Sequence, residues 1–491
     1  MLGLFAAKPG HQLADARELR RLLDELPALE PAAALERADA QLDSLVATED
    51  LKLDHRFGLI VQIDGAVLAQ ATRLGREYLG AVDLNRVAEF KLWGQNHGYW
   101  SRLAAAYAGV LRRYRDDGRA GEALKPVLAQ ACARLLRACG GQLKWQQFRY
   151  GPPADEIWAA AGSAWLTACE AGLERKSVPL GGSGQASSVE AEYLKLLLFQ
   201  ASSMDNLLPV EIEIAERLIG HLVPFFKLTE QVHPFNVYWV DPAKPLPPTR
   251  LAKLPEITPT LRFFATRTAL DALKGVQLKI EATGELPADI NFGGAYAPRV
   301  VLPVCEHLAE CWAPVPPMRG HPRHKVKSWL TVINGLERVF RRLAGQEAAA
   351  PNDEAWVAED VSRNGIGASV NLIGKEWLKV GALVGMQPEG GGNWLVGIVR
   401  RIVRESESLA NVGLETLSKS ARTAVADSGG RRVEVLLLDA LGHGAEVRVV
   451  MADIAWDARI PLALEGVGAR LTPLGLADTG AGCVVGRYKV T

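Results

Sequence analysis

Trp356-Val357-Ala358-Glu359-Asp360-Val361-Ser362-Arg363-Asn364-Gly365-Ile366-Gly367-Ala368-Ser369-Val370 reads as a strand, a tight polar turn and a second strand. Asp, Ser, Asn and Gly supply the turn chemistry, and glycine takes positive φ without steric cost. In an extended segment Asp360 and Ser362, two residues apart, leave the same face. A carboxylate beside a hydroxyl makes a small acceptor-and-donor site. It suits a nucleobase edge, because a carboxylate accepts from ring and exocyclic N–H groups. The adjacent Glu359 and Asp360 should face opposite ways, which is unsuited to paired acid–base catalysis.

Upstream lies a basic loop broken by proline and glycine, Pro316-Pro317-Met318-Arg319-Gly320-His321-Pro322-Arg323-His324-Lys325-Val326-Lys327. It carries Arg319 and Arg323 four residues apart. Arginine presents a planar fork that binds phosphate or the guanine O6/N7 edge bidentately and stacks on bases. His321 and His324 flank the arginines, as ligand contacts or as ordinary loop residues. The same arginine spacing recurs at Arg338 and Arg342. There Leu336, Val339, Phe340 and Leu343 form an apolar helical stripe, so Arg338, Arg341 and Arg342 read as a solvated helix face.

The chain of 491 residues has room for about three domains of roughly 150 residues. Apolar residues make up 48%, enough for ordinary buried cores. Basic and acidic residues number 56 each, which speaks against a general nucleic-acid binder. Neither a secretory leader nor an apolar span of about 18 residues is recognisable, so a cytoplasmic protein without a membrane span is expected. Six cysteines are spread without a CxxC pair. Cys132, Cys139 and Cys169 fall on apolar helical stripes, as buried reduced thiols do. Cys305 and Cys311 share a helix face that His307 leaves, which favours core thiols over a zinc site. No GxxxxGK[ST], HExxH or GxSxG pattern occurs, and Asp54-His55-Arg56 sits inside a helical pattern. A non-enzymatic protein without metal or cofactor is expected.

The fold class expected is multidomain α+β: a mostly α-helical N-terminal half, then a C-terminal antiparallel β-barrel with an extra β-rich C-terminal segment. Residues 1–225 read as an α-helical domain. Helical patterns cover Ala14–Leu26, Ala32–Val46, Leu59–Leu79, Asn85–Arg115, Gly121–Ala138, Asp155–Gly172, Ser188–Ala201 and Pro209–Leu222, with Gly140-Gly141 as punctuation. Ser187 followed by Glu190 reads as a capping box. Residues 226–315 form an α+β connecting region, with strands at Phe235–Val240 and Thr260–Phe264 and helices at Arg267–Gly284 and Ala297–Trp312. Residues 316–425 form the barrel. Its expected strands are Lys325–Asn334, Ala355–Asp360, Ile366–Ile373, Lys379–Met386, Trp394–Arg404 and Asn411–Leu417, with a helix at Gly335–Gly345 after the first. Residues 426–491 are β-rich, with strands at Arg432–Leu438, Ala445–Met451, Arg459–Leu464 and Gly482–Val490. They either extend that barrel or form a separate domain.

Residues 316–420 resemble the PilZ family, β-barrel receptors for the bacterial second messenger cyclic di-GMP. The family pattern is Arg-x-x-x-Arg before the first barrel strand, then Asp/Asn-x-Ser-x-x-Gly at a strand turn. Here Arg319-Gly-His-Pro-Arg323 and Asp360-Val-Ser362-Arg-Asn-Gly365 match it. Val380-Gly381, Gly397-Ile398-Val399-Arg400 and Val412-Gly413-Leu414-Glu415 resemble its later strands. The resemblance implies cyclic di-GMP as ligand, held by Arg319, Arg323, Asp360, Ser362 and Gly365, with His324 and Asn364 as possible further contacts. In the receptor reading the helical region binds a protein partner, in control of motility or biofilm. The interval from Arg323 to Asp360 is longer than the family's, because the helix expected at 335–345 is inserted there. A ligand-independent adaptor with a degenerate barrel remains the alternative reading.

Overall fold

A computed structural model describes residues 11–48, 51–80, 86–152, 154–181, 186–316, 321–348 and 353–491. It is a multidomain α+β protein in two compact units. The first takes in most of residues 1–317. The second comprises residues 318–491 with the short segments 150–152 and 205–208.

The first unit is built from helices α1 (Ala16–Glu25), α2 (Pro31–Ala47), α3 (Leu53–Gly80), α4 (Arg86–Asp116), α5 (Gly118–Leu124), α6 (Leu128–Gln147), α7 (Asp155–Glu170), α8 (Val189–Ala201) and α9 (Pro209–Leu222). Strands β1 (Val178–Pro179) and β2 (Ala186–Ser187) form a small ribbon. Strands β3 (Asn236–Val240), β4 (Thr249–Arg250) and β5 (Arg262–Ala265) form an antiparallel sheet in the order β4-β3-β5. Helices α10 (Arg267–Thr283) and α11 (Pro298–Trp312) follow and pack on each other. Among the described residues no helix is long and apolar enough to cross a membrane.

Three local expectations are corrected. The helix expected at Gly121–Ala138 is two helices, because Pro126 has no backbone N–H and a 3-10 turn over Lys125–Val127 separates α5 from α6. Gly140 and Gly141 do not end α6, which runs through them. A Cβ on Gly141 would lie 2.3 Å from the Trp100 ring, so this glycine lets α4 and α6 approach closely. The N-cap of α8 is Ser188, whose side chain accepts from the Ala191 N–H at 3.1 Å, whereas the Ser187 hydroxyl bonds Glu192 at 2.5 Å. Cys132, Cys139 and Cys305 are buried, and desolvation pushes their thiols up to about 12.

A buried charge ties α3, α4 and α6 together. Asp64, wholly buried, accepts hydrogen bonds from Tyr99 at 3.2 Å and Tyr107 at 3.0 Å, and from Arg134 and Arg137, each at 2.5 Å. Burial first, and the Asp64 charge second, raise both phenols well above their ordinary pKa.

The second unit contains two closed antiparallel barrels. The first is made of β6 (His324–Asn334), β7 (Glu354–Val361), β8 (Gly365–Asn371), β9 (Leu383–Pro388), β10 (Leu395–Arg404) and β11 (Leu409–Ser418), in the order β10-β11-β8-β7-β6-β9. Its interior follows the two-residue alternation of strands: Trp356 and Ala358, then Ile366, Ala368 and Val370, then Ala410, Val412 and Leu414. Trp356 stacks on Trp377, and both indole N–H groups donate to Glu354 at 2.8 Å.

The second barrel is made of β12 (Arg422–Ser428), β13 (Arg431–Leu437), β14 (Glu446–Ala452), β15 (Leu462–Leu464), β16 (Arg470–Thr479) and β17 (Cys483–Val490), in the order β12-β13-β14-β17-β16-β15. The C-terminal segment is thus a complete barrel rather than an extension of the first. It begins at Arg422, so β12 straddles the expected boundary at 425/426. The strand expected at Arg459–Leu464 shortens to β15, and β16 was not foreseen. Its burial alternates only weakly, and Leu474 and Leu476 are exposed.

Helix α12 (Leu336–Leu343) packs on β6, β9, β12 and β13. Its Val339 and Phe340 join Ile333, Val396, Ile398, Leu436, Val450 and Val485 in one apolar core between the barrels. Arg342 is therefore not on a solvated face. It is 8% exposed, bonds Asp353 at 2.9 Å and lies 4.9 Å from the Trp394 ring centre, while Arg338 also pairs with Asp353.

Asp64→Asn should destabilise the helical unit by about 3–5 kcal/mol, since the buried Arg134 and the partly buried Arg137 lose their counter-charge. Urea denaturation followed by circular dichroism checks this; a loss below about 1 kcal/mol would contradict it.

Candidate ligand-binding site

The turn at 362–364 is closed by its own backbone. The Ser362 N–H donates to the Gly365 carbonyl at 2.7 Å, and the Ser362 hydroxyl donates to the same oxygen at 3.3 Å. The Asn364 carbonyl accepts from the Thr416 N–H at 2.9 Å, which docks the turn on β11. Gly365 is not in the left-handed region. Its constraint is space: a Cβ there would lie 3.1 Å from the Ser362 hydroxyl oxygen.

The register of β7 against β8 shifts between Ala358 and Asp360. Glu359 is the extra residue of a β-bulge, so the inward residues run Trp356, Ala358 and then Val361. Plain alternation would turn Asp360 inward. The bulge turns it outward, and Glu359 and Asp360 line the same cleft rather than opposite faces. A Cβ on Gly367 would sit 2.9 Å from the Asp360 carboxylate, so this glycine makes room for it.

Arg323 reaches Asp360 across 37 residues of sequence. Its Nη1 donates to Oδ1 at 2.8 Å and to Oδ2 at 3.1 Å. Helix α12 does not intervene; it belongs to the core between the barrels and contributes nothing to the cleft lining. His321 and Asn364 line the cleft, while His324 opens β6 opposite Val361 and stays exposed outside it. Arg319 lies outside the described residues.

The cleft measures about 770 Å³, within the roughly 300–1,000 Å³ usual for small-molecule sites. Its far wall holds residues not foreseen as site residues: Arg400, Arg401 and Glu415. The register of β10 against β11 shifts between Val399 and Arg401, making Arg400 the extra residue of a second bulge. Val399 and Ile402 both enter the core, three residues apart, and the two arginines between them face outward. That apolar spacing of three, enclosing two charges in a strand pattern, was the signal available in the sequence. A Cβ on Gly413 would lie 3.3 Å from the Arg401 Cβ, so this glycine keeps the wall open.

Each arginine described in the cleft rests on a carboxylate. Arg323 pairs with Asp360, and Arg401 pairs with Asp205. Arg400 donates from Nε to Glu415 at 2.6 Å and from both terminal nitrogens to Asp478 of β16. Burial lowers the Arg400 pKa, but the hydrogen bonds and charges of Asp478 and Glu415 outweigh it and leave the guanidinium pKa raised. Among the described lining residues, Arg323, Arg400 and Arg401 are matched by Glu359, Asp360 and Glu415. Such a wall offers forks to phosphates and to guanine O6/N7, and carboxylates to guanine N–H groups.

Arg323→Ala should change the stability of the protein by less than about 1 kcal/mol, because both partners are about a third exposed. Thermal denaturation checks it, and a drop equivalent to more than about 2 kcal/mol would make Arg323 a structural residue.

Two comparisons bear on the chain. No curated protein matches it. Residues 17–233, less than half of the chain and confined almost wholly to the helical unit, match the family described as the N-terminal domain of the cyclic-di-GMP receptor FimW.

Proposed function

We propose that this protein is a non-enzymatic receptor for cyclic di-GMP, with a PilZ-type first barrel as its ligand-binding module. The observation that carries the reading is the meeting of Arg323 with Asp360, Ser362 and Gly365 at one cleft. The family match of the helical unit supports it independently, since it concerns other residues.

In this reading Arg323 leaves Asp360 for a phosphate or a guanine edge. Asp360, freed, accepts from guanine N–H groups, and the Ser362–Gly365 turn supports the base from below. Arg319 supplies the second fork of the loop. Two phosphates and two guanines match a cleft in which arginines and carboxylates alternate, better than a phosphate-only ligand would. The bound state is relayed through the helical unit to a protein partner in the cytoplasm, in control of motility or biofilm.

The adaptor reading has one observation in its favour. Every described arginine of the cleft already has a carboxylate partner, as in a site that holds itself shut.

Isothermal titration of the full chain with cyclic di-GMP separates the two. Binding is expected, with Arg323→Ala at least about tenfold weaker, given charge-assisted hydrogen bonds of roughly 1.5–3 kcal/mol each. Ser362→Ala should weaken binding without unfolding the barrel. Absence of heat and of ligand retention at tens of micromolar would leave the adaptor.

A further inference from the structure

Arg400 is held in a way no other described arginine of the cleft is. Its partner Asp478 belongs to the second barrel, and both residues are aimed by irregularities in their strands. Arg400 is the extra residue of the β10 bulge, and the register of β16 against β17 shifts between Leu476 and Asp478. The contact is anchored beside it. The Ala481 N–H donates to the Gly381 carbonyl at 2.7 Å, and the Gly381 N–H donates to Val399 at 2.8 Å. Gly381 has φ +81°, and a Cβ on it would lie 2.9 Å from the Ala481 nitrogen. A Cβ on Gly480 would lie 2.6 Å from the Gly381 carbonyl oxygen. Two glycines thus let the backbones of the two barrels touch, and Asp478 stands two residues before this contact.

Glu415 binds Arg400 through Nε, whereas Asp478 takes the two terminal nitrogens. Those nitrogens form the edge that binds phosphate bidentately. A phosphate and Asp478 therefore compete for the same edge, and Glu415 keeps Arg400 oriented while they do. The pair is sheltered, with the Arg400 and Asp478 side chains 38% and 23% exposed, so the exchange takes place at the rim of the cleft rather than in bulk water.

Resting on the receptor reading above, we propose that Arg400 is a phosphate-binding residue of the cleft and that Asp478 of the second barrel is its intramolecular competitor. Ligand binding then releases a contact between the barrels, and any change that loosens that contact favours the ligand. The linkage is reciprocal, as any coupling of two binding equilibria is.

The test titrates the full chain with cyclic di-GMP and, separately, with inorganic pyrophosphate. Asp478→Asn keeps the shape and removes the charge, so both ligands should bind about threefold or more tightly. Arg400→Gln should weaken both about tenfold, with circular dichroism unchanged. If cyclic di-GMP binds the wild-type chain and Arg323→Ala weakens it, but Arg400→Gln and Asp478→Asn leave both affinities within twofold, this inference is overturned and the receptor reading stands. If cyclic di-GMP fails to bind while Asp478→Asn still tightens pyrophosphate, the anion position and its competitor stand and the choice of ligand falls. Failure of both ligands on wild type and on Asp478→Asn overturns both.

Discussion

A closed barrel gives each strand one inward and one outward face, and two of the extra residues in the first barrel alter that rule where the cleft lies. With strict alternation Asp360 would point into the core beside Trp356 and Ala358. A buried carboxylate there would lack partners and cost several kcal/mol. The bulge at Glu359 sends Val361 inward in its place and delivers Asp360 to the surface. The bulge at Arg400 does the same on the opposite wall, with Val399 and Ile402 filling the core. Both walls of the cleft depend on these two insertions, and the glycines at 365, 367 and 413 provide the room that the redirected side chains require.

The junction of the barrels rests on two kinds of contact. Apolar residues from both, with Val339 and Phe340 of α12, form a continuous core. Beside it, the Gly381 and Gly480 backbones meet and Asp478 takes hold of Arg400. The helix between β6 and β7 thus belongs to the seam between barrels. It adds length between Arg323 and Asp360 without parting them, because β6 and β7 pair along their length and bring Lys325 opposite Asp360.

Several features were readable from residues alone, for physical reasons. Arg323 and Asp360 sit near the ends of paired strands, where local turn chemistry marks both motifs, although the bulge at Glu359 rather than alternation aims Asp360 outward. The strands of the first barrel have clear apolar alternation and short polar turns. By contrast β16 exposes much of its length and carries Pro473, so it lacks the pattern of a buried strand. Arg342 shows why a helix stripe is a limited guide. The stripe identified the buried face against β6 and β9, but Trp394 and the carboxylates of Glu347 and Asp353 cover the flank where Arg342 lies. Gly140 and Gly141 looked like breakers because glycine is a poor helix former, yet the approach of Trp100 makes glycine necessary at 141.

By itself the sequence determined the α-then-β order, the buried Cys132, Cys139 and Cys305, though not the half-buried Cys169 and Cys311, and the two polar motifs whose spacing suggests a nucleotide site. These follow from local periodicity and turn propensity, which act over a few residues. Only the tertiary structure decided that 422–491 close into a second barrel, that Arg400, Arg401 and Glu415 form the far wall, and that Asp478 reaches that wall. Those outcomes depend on strand register and on backbones meeting at Gly381 and Gly480. Register is a property of two strands together, and one strand's sequence does not contain it.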